Sequence, residues 1–342
     1  MLKNIIKELL NRDDVLPSIT IEITTACNLK CVHCYIENRN ENNIVSDLKL
    51  SDIKNIIDDL KELNVLSVTL TGGEPLMHPQ FYDIIKFLKE ENFIVNIMSN
   101  ITLINNKNIK TIERYVDSIS TTLYGFSINT YNTVTRCRDG YQRYCRAKNL
   151  LLSSTIQLKE RGILLNENKY DFINYISSNI ATEMHISNSI ESPYAAPHRI
   201  DKQTNICYYY ELIKHNNDNV EDPIEAVPLY ICNACVDSLF IKANGDINVC
   251  ANLNVGLGNI KNTSIKDIVL SGVLKEKREL FKFSNFKKCY NCDQLKFNPV
   301  ICPANNQDET GCMFTPSKYS CDLCHAVHTA YNMYVSEKSN EQ

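Results

Sequence analysis

The sequence predicts an α/β fold built on a parallel sheet, followed by a smaller cysteine-rich region. Strand-like and helix-like segments alternate from about residue 18 to residue 190, at the interval of a βα unit. The alternation fades after residue 200, and from about Tyr230 the chain becomes rich in cysteine. Both a β/α barrel and an open α/β sheet agree with this pattern.

The individual elements follow from their apolar periods. The first residues, MLKNIIKELLNRDD, interrupt their apolar side chains with charges and predict a short amphipathic helix. The predicted strands are SITIEITTAC, VLSVTLTGG, IVNIMSN and DSISTTLYG, with weaker candidates around ILLN and MHISNS. The predicted helices are LSDIKNIIDDLKELN, with Ser51 as its N-cap, QFYDIIKFLKEENF, NNKNIKTIERYV and YQRYCRAKNLLLSSTIQLKERG. In the cysteine-rich region, LFIKANGDINVC predicts a hairpin with a type I′ turn at Asn244-Gly245, and SEKSNEQ predicts a loose tail.

Composition excludes several classes of function. A length of 342 residues suits one large or two modest domains. With 36 basic and 40 acidic residues, the chain has no charge excess that would favour nucleic acid as a partner. No secretion signal opens the chain, and no window approaches the roughly 18 apolar residues of a membrane span. We therefore expect a cytoplasmic protein without a membrane partner.

The fifteen cysteines need an explanation, because disulfides do not persist in a reducing compartment. Cys137, Cys145 and Cys207 stand apart and suit the role of small core hydrophobes. The other twelve fall into two clusters, near the start and between Cys232 and Cys324, which favours metal ligation.

The first cluster is a triplet formed by Cys27, Cys31 and Cys34. This spacing would make one stripe on a helix, but the triplet directly follows the β-branched strand that ends in TTACN, which favours a loop. Three thiolates can hold three irons of a [4Fe–4S] cluster and leave the fourth iron open to a small chelating molecule.

A pair of glycines follows the next predicted strand, in TLTGGEPLMHP. Only 10 of 342 residues are glycine, so two in succession at a strand end indicate a close approach of the backbone to a ligand. Glu74 adds a carboxylate suited to an ammonium group of that ligand.

Together these motifs resemble the radical S-adenosylmethionine (radical SAM) family. The triplet is similar to its C-x3-C-x2-C signature, with His33 where the family usually has an aromatic residue, and Gly72, Gly73, Glu74 and Pro75 resemble its GGEP motif. The resemblance implies a partial (β/α)6 barrel. It also implies a [4Fe–4S] cluster whose open iron binds SAM, so that one electron cleaves SAM to methionine and a 5′-deoxyadenosyl radical.

Further SAM contacts are implied by the same resemblance. Ser99 and Asn100, at the end of the third strand, match the position of ribose contacts, and Thr121 or Thr122 could follow on the fourth strand. Arg136 and Arg138 could reach the SAM carboxylate, although solvated arginines are the simpler interpretation.

The second cluster contains nine cysteines, of which the first three are spaced Cys232-x2-Cys235-x14-Cys250. Zinc ribbons use similar pairs, but nine thiols also suit two [4Fe–4S] clusters, and one cluster plus zinc is a further alternative. The order resembles the SPASM domain of radical SAM enzymes. It implies auxiliary cluster I on Cys232, Cys235, Cys250 and Cys312, and cluster II on Cys289, Cys292, Cys302 and either Cys321 or Cys324. The gaps of nine residues after Cys292 and Cys302 are longer than usual in the family.

The implied organisation and function follow. The expected segments are an N-terminal helix (1–17), the radical SAM partial barrel (18–205), a bridge (206–229), the SPASM domain (230–332) and a tail (333–342). The leading hypothesis is a maturase that forms a thioether or carbon–carbon crosslink in a ribosomally made peptide. It would need a flavodoxin- or ferredoxin-type electron donor. Fewer than 20 residues precede the first strand, so a separate leader-recognition protein or direct docking of the precursor is expected.

Four alternatives remain. One is a sulfatase-type maturase of protein side chains; another is a peptide epimerase with Cys207 or the spare member of Cys321 and Cys324 as hydrogen donor. A third is chemistry like that of the molybdopterin-forming radical SAM enzyme, which ends in Gly-Gly where this sequence ends in Asn-Glu-Gln, and which does not need the six later cysteines. The fourth is a non-catalytic zinc or iron–sulfur scaffold or electron carrier.

Other residues give weaker signals. The candidate acid–base groups are His185, His198, His325 and His328. Three consecutive tyrosines, Tyr208, Tyr209 and Tyr210, could line a substrate cavity, although packing is the simpler role.

Overall fold

Six parallel strands form the first part of the molecule. The computed structural model describes residues 16–36, 46–178, 184–187, 193–215, 229–232, 234, 238–294 and 301–341. In chain order the strands are β1 (Ser18–Thr24), β2 (Ser67–Gly72), β3 (Ile94–Met98), β4 (Ser118–Leu123), β5 (Gln157–Ile163) and β6 (His185–Ser187). Each pairs in parallel with the next, so their carboxyl ends all lie at one edge of the sheet. This confirms the predicted α/β class.

Helices cover this sheet between successive strands. They are α1 (Leu50–Glu62), α2 (Phe81–Glu90), α3 (Ile109–Tyr115), α4 (Ile128–Thr135), α5 (Gly140–Leu152) and α6 (Lys169–Ser177). In α1 the buried side chains, Ile53, Ile56, Ile57 and Leu60, recur at helical spacing and form one apolar face. The β1 isoleucines at positions 19, 21 and 23 are fully buried, as expected for a parallel strand with a packed core against it.

The cysteine-rich region continues the same sheet. Strand β7 (Ser238–Ile241) pairs in parallel with β1, and β8 (Asp246–Asn248) and β9 (Gly256–Asn259) follow in antiparallel order. The described residues therefore form a nine-stranded open sheet in the order β6-β5-β4-β3-β2-β1-β7-β8-β9. Because β1 lies between β2 and β7, the hairpin and the six parallel strands share one hydrophobic core.

The remaining helices all follow β6 in the chain. They are α7 (Lys202–His215), α8 (Ile265–Leu270), α9 (Val273–Leu280), α10 (Lys287–Tyr290), α11 (Pro303–Thr310) and α12 (Lys318–Glu341). Short 3-10 turns occupy Pro75–Met77, Pro193–His198 and Phe283–Asn285. Among the described residues, no helix combines the length and the apolarity needed to cross a bilayer.

Two predictions about helix ends were wrong. Helix α1 is preceded by Lys49 as its N-cap, and Ser51 lies inside the first turn. The backbone N–H of Lys49 donates to the Asp52 carboxylate (2.9 Å), so the acidic side chain performs the capping. The helix predicted to run to Gly162 ends at Leu152, and Gln157–Ile163 is strand β5. Pairing with β4 overrides the helical propensity of QLKERG, whose exposed side chains alternate as in a strand.

Two further predictions about the C-terminal part were also wrong. Of the Asn244-Gly245 pair only Gly245 has a positive φ (93°), whereas a type I′ turn needs both. The N–H of Gly245 donates to Lys242 O (2.8 Å), and that of Lys242 donates to Asp246 O (2.8 Å), which is a type I turn closed by a glycine bulge. The predicted loose tail is helical to Glu341, in α12, which packs on α7. The predicted N-terminal helix lies almost wholly outside the described residues.

Candidate functional site

A cavity of about 330 Å³ lies where the carboxyl ends of β1 to β4 meet. The three thiols of Cys27, Cys31 and Cys34 lie on its wall. Its polar lining also includes seven residues that were predicted or lie next to predicted ones: His33, Gly72, Gly73, Ser99, Asn100, Ser120 and Thr122. Parallel α/β sheets place their chemistry at this edge, and the two early sequence motifs meet there.

The cysteine segment after β1 is a loop, as predicted, and backbone hydrogen bonds fix its path. The N–H groups of Lys30 and Val32 donate to the carbonyls of Thr135 and Val134 (both 3.0 Å), which belong to the last turn of α4. Within the loop, the Cys34 N–H donates to Cys31 O (3.2 Å). The backbone N–H groups of the loop thus bind the end of α4, and its thiols remain at the cavity.

The glycine pair is bonded to the residues that lead into this loop. The N–H of Gly73 donates to Thr24 O and that of Glu74 to Ala26 O, both at 2.8 Å. Gly72 has φ of 151°, and a Cβ added there would lie 2.2 Å from Thr24 O. Glycine is therefore required at position 72 by the close approach of β1, and this approach brings the Gly72-Gly73 backbone to the cavity wall.

Glu74 braces the end of β3 from below the cavity. Its fully buried carboxylate accepts hydrogen bonds from Ser99 Oγ (2.8 Å), the Asn100 N–H (2.8 Å) and the Leu76 N–H (3.2 Å). Neither Glu74 nor Pro75 is among the lining residues. The structure gives this carboxylate a supporting position beneath the predicted SAM contacts Ser99 and Asn100.

Strand β4 presents alternate side chains to the cavity. Ser120 and Thr122 line it, whereas the side chain of Thr121 is buried away from it. Successive strand residues face opposite sides of a sheet, so only one of the two threonines can reach the cavity. The expectation for Thr121 does not match this geometry, and the alternative, Thr122, does.

His33 and Tyr124 form an aromatic wall beside the thiols. Their ring centroids are 5.3 Å apart. Burial, assisted by the nearby His198, lowers the pKa of His33 to about 4. Burial, followed by the charges of neighbouring groups that include all three thiols, raises the pKa of Tyr124 well above its usual value. Both rings are therefore uncharged near neutral pH, which suits a planar neutral ligand.

The three thiols are suitable ligands for an iron–sulfur cluster, and one of them already accepts hydrogen bonds. Cys27 Sγ accepts hydrogen bonds from the Leu29 N–H (3.4 Å) and from Asn100 Nδ2 (3.7 Å), the kind of donors that stabilise a cluster thiolate. In the described part of the chain, no three His, Cys, Asp or Glu side chains stand close enough to hold a single metal ion. A cubane binds each thiolate through a different iron, so its ligands stand farther apart.

Comparison with known families agrees with this site. Residues 21–168 match the model of the radical SAM superfamily, and residues 232–293 match the model of SPASM, an iron–sulfur cluster-binding domain. The chain therefore contains a radical SAM domain. It carries a SPASM domain after its radical SAM domain, as the sequence predicted, and the two domains support a [4Fe–4S] cluster and SAM as cofactors.

Similar proteins include one that is named for the biosynthesis of a bacteriocin. The antilisterial bacteriocin subtilosin biosynthesis protein AlbA of Bacillus subtilis (strain 168) is 25% identical over 274 residues, which are 73% of this chain and 58% of AlbA. The chain spans about half the length of the curated relatives it matches.

Two solved structures share the fold. Streptococcus suis SuiB bound to precursor peptide SuiA has a TM-score of 0.66 and 19% identity, with 94% of this chain and 79% of that one covered. Native anSMEcpe with bound AdoMet has a TM-score of 0.71 and 15% identity, with 94% and 99% covered.

In the SPASM region four cysteines lie close together. Burial, followed by the charges on Cys321 and Cys292, raises the pKa of Cys289 to about 11. Burial, followed by the charges on Cys292, Cys321 and Cys289, raises the pKa of Cys324 to about 12. Mutual effects of this kind need short separations, so Cys289 and Cys292, at α10, lie beside Cys321 and Cys324, in the first turns of α12.

The other SPASM cysteines are placed differently. Cys232, Cys250 and Cys302 are partly buried against the main core. Cys312 is exposed, and a backbone hydrogen bond from Phe314 lowers its pKa. Cys235 lies outside the described residues.

The weaker candidates are distributed over the molecule. Arg136 and Arg138 are exposed and do not line the cavity. His185 and His325 are exposed, His328 contacts Asn332, and His198 pairs with Glu167. Tyr208 is buried and donates to Ile186 O (3.1 Å), while Tyr210 hydrogen-bonds Glu337 and Tyr209 stacks edge-on against Tyr208. These tyrosines therefore pack between elements.

One lining residue had no signal in the sequence. Asn252, two residues after Cys250, reaches the cavity from the SPASM region. Only the parallel pairing of β7 with β1 brings this segment to the radical SAM site, and that pairing joins residues more than 200 positions apart.

Proposed function

We propose that this radical SAM/SPASM enzyme matures a ribosomally synthesised peptide by removing a hydrogen atom from it and forming a thioether or carbon–carbon crosslink. The observation that carries the proposal is the convergence of three thiols and the Gly72-Gly73 backbone on one cavity. When bound, the cluster and SAM would supply one-electron cleavage of the sulfonium and a carbon radical that takes a hydrogen atom from the substrate.

The residues of this cavity divide the work of holding these groups. Cys27, Cys31 and Cys34 would bind the cluster, and the Gly72-Gly73 backbone would face the amino acid part of SAM. The hydroxyl of Thr122 would contact its ribose, because the Ser99 hydroxyl is engaged with Glu74 and the Ile101 N–H. The neutral His33 and Tyr124 rings would give its adenine an uncharged surface. Among the described residues, those that line the cavity include no Asp, Glu, Lys or Arg.

A peptide is the substrate class that the relatives favour. AlbA is named for bacteriocin biosynthesis, and SuiB was solved with a precursor peptide. A cavity of about 330 Å³ lies at the small end of the range for ligand sites. We infer that SAM fills most of the cavity and that the peptide places a single residue in the remaining space.

We further propose two auxiliary [4Fe–4S] clusters in the SPASM domain. The proximity of the four thiols around α10 and α12 supports cluster II on Cys289, Cys292, Cys321 and Cys324. Cluster I would then use Cys232, Cys235 and Cys250 with Cys302, which is partly buried as Cys232 and Cys250 are. This set moves Cys302 from cluster II to cluster I and leaves Cys312 without a cluster. The auxiliary clusters would accept the electron that remains after hydrogen removal.

The remaining partners are proposals of the same kind. A flavodoxin- or ferredoxin-type protein would supply the electron, and a separate recognition protein would bind the leader of the precursor. Cluster thiols need a reducing compartment, which favours the cytoplasm.

The test uses oxygen-free holoenzyme, SAM, a reductant and, as candidate substrates, peptides from any short reading frames found beside this gene. We expect 5′-deoxyadenosine and a peptide lighter by the mass of two hydrogen atoms, in equal amounts, by liquid chromatography and mass spectrometry. A peptide with unchanged mass but an inverted residue would favour epimerisation, and oxidation of a sulfatase-derived peptide alone would favour side-chain maturation. Absence of 5′-deoxyadenosine would refute the enzymatic interpretation altogether.

A further inference from the structure

The chain makes an unusual turn directly after β3. Ile101 has a positive φ of 57° and is fully buried. A β-branched residue in this left-handed region is strained by roughly 1–3 kcal/mol, and such strain persists only where the surroundings hold it. The turn lies between Asn100, on the cavity wall, and Thr102.

A set of side-chain hydrogen bonds holds this strained turn. Ser99 Oγ donates to Glu74 (2.8 Å) and accepts from the Ile101 N–H (2.8 Å). Asn100 Oδ1 accepts from both the N–H (3.0 Å) and the Oγ1 (2.6 Å) of Thr102. The turn is thus fixed on both sides of the strained residue.

The same bonds orient the Asn100 amide group. Because Thr102 occupies its oxygen, its nitrogen faces the cysteine loop, where it donates to Asn28 Oδ1 (3.0 Å) and to Cys27 Sγ (3.7 Å). Asn28 in turn donates to Thr102 Oγ1 (2.7 Å), which closes a ring of three side chains. Both ends of the Asn100 amide are therefore engaged with protein groups, although the sequence suggested a ribose contact.

We propose that Asn100 is a positioning residue that tunes the reduction potential of the cluster at Cys27, Cys31 and Cys34, through its N–H···S bond to Cys27. This inference rests on the proposed function, since it needs that cluster. An external donor adds one electron and no proton moves. The added negative charge is shared by the thiolate sulfurs, so a fixed N–H donor stabilises the reduced form and raises the potential.

The test removes the donor and leaves the cluster ligands intact. Asn100→Leu has no donor, and Asn100→Asp keeps the shape and the oxygen that Thr102 uses. The matched control is Asn106→Leu, an exposed asparagine on the same loop. The readout is a redox titration of the holoenzyme followed by electron paramagnetic resonance, restricted to the signal that changes when SAM is added.

We expect both Asn100 variants to lower the potential. At the wild-type midpoint, the ratio of reduced to oxidised cluster should fall at least about tenfold, which for one electron is a shift of about 59 mV. Asn106→Leu should titrate as wild type. Thr102→Val should cause a smaller shift in the same direction, and no additional shift in the Asn100→Leu background, because both act through one contact.

Several outcomes would overturn the inference. Wild-type potentials in Asn100→Leu with full iron content would do so, as would lost iron with an unchanged potential in the remaining cluster, which indicates a structural role alone. If Asn100→Leu binds no iron, Asn100→Asp and Thr102→Val decide in its place. Failure of peptide modification leaves this titration intact, whereas a wild-type enzyme with no SAM-responsive signal would refute both proposals.

Discussion

The two cysteine regions differ in how the polypeptide presents their thiols. Cys27, Cys31 and Cys34 lie within eight positions of one loop, which is hydrogen-bonded to α4 and follows the interior strand β1. The four thiols around α10 and α12 come from segments about thirty residues apart, and Cys289 belongs to a helix of four residues. The sheet shapes the first site before any metal binds, whereas the second depends more on its metal for order.

The largest effect is expected from a substitution that acts on the first site alone. Gly72→Ala would place a Cβ 2.2 Å from Thr24 O at a backbone conformation that alanine rarely adopts. We expect a loss of about 3 kcal/mol or more in the free energy of unfolding, since overlap and strain add. Anaerobic denaturant unfolding measures this, and SAM cleavage should be lost with it.

A matched glycine provides the control for this variant. Gly256, in β9, has open space around its Cα, with the nearest atom 4.0 Å from an added Cβ. Gly256→Ala should therefore change the unfolding free energy by less than about 0.5 kcal/mol. Equal losses of unfolding free energy in both variants would show that the close approach of β1 to Gly72 does not determine the cost of the substitution.

The second site is tested by removing a buried thiol. Cys324→Ala should lose the iron of one cluster and reduce modified peptide on the order of 100-fold, while 5′-deoxyadenosine still forms. Cys312→Ala, at an exposed thiol, should keep the wild-type iron content. Iron analysis and product quantification of both variants check this. Loss of iron in Cys312→Ala with retention in Cys324→Ala would restore the ligand set expected from the family order.

A smaller effect is expected from a substitution of Glu74, which supports the first site. Glu74→Gln keeps the shape of the side chain but removes the charge that accepts from Ser99, Asn100 and Leu76. We expect a loss of about 1–3 kcal/mol in unfolding free energy. We also expect roughly tenfold weaker SAM binding, measured by equilibrium dialysis under anaerobic conditions. Unchanged SAM affinity would show that bracing of β3 does not matter to the cofactor.

Sequence patterns predicted most of the first site, because its motifs are local. The strand that ends at TTACN and the glycine pair after the next strand were sufficient to bring Cys27 and Gly72 to one edge of a parallel sheet. The engagement of Asn100 with Cys27 was not predictable, since it depends on the left-handed Ile101, for which a β-branched residue gives no signal. The choice between Thr121 and Thr122 depends on strand register, which one residue reverses.

The second region was less predictable for a related reason. The hairpin was found from its turn residues, but its addition to the edge of β1 is a long-range pairing without a local pattern. The grouping of Cys289 and Cys292 with Cys321 and Cys324 likewise depends on how α10 meets α12. Cysteine spacing alone indicates how many thiols are present and leaves their partners open.

The most direct measurement compares the wild-type enzyme with the variant in which Cys27, Cys31 and Cys34 are all alanine. Both are reconstituted with iron and sulfide without oxygen, then given SAM and reductant. The wild type should form 5′-deoxyadenosine, and the variant should form none while it keeps the iron of its SPASM clusters. Cleavage of SAM by the variant, or a wild type that holds only zinc, would contradict the assignment of the radical chemistry to this loop.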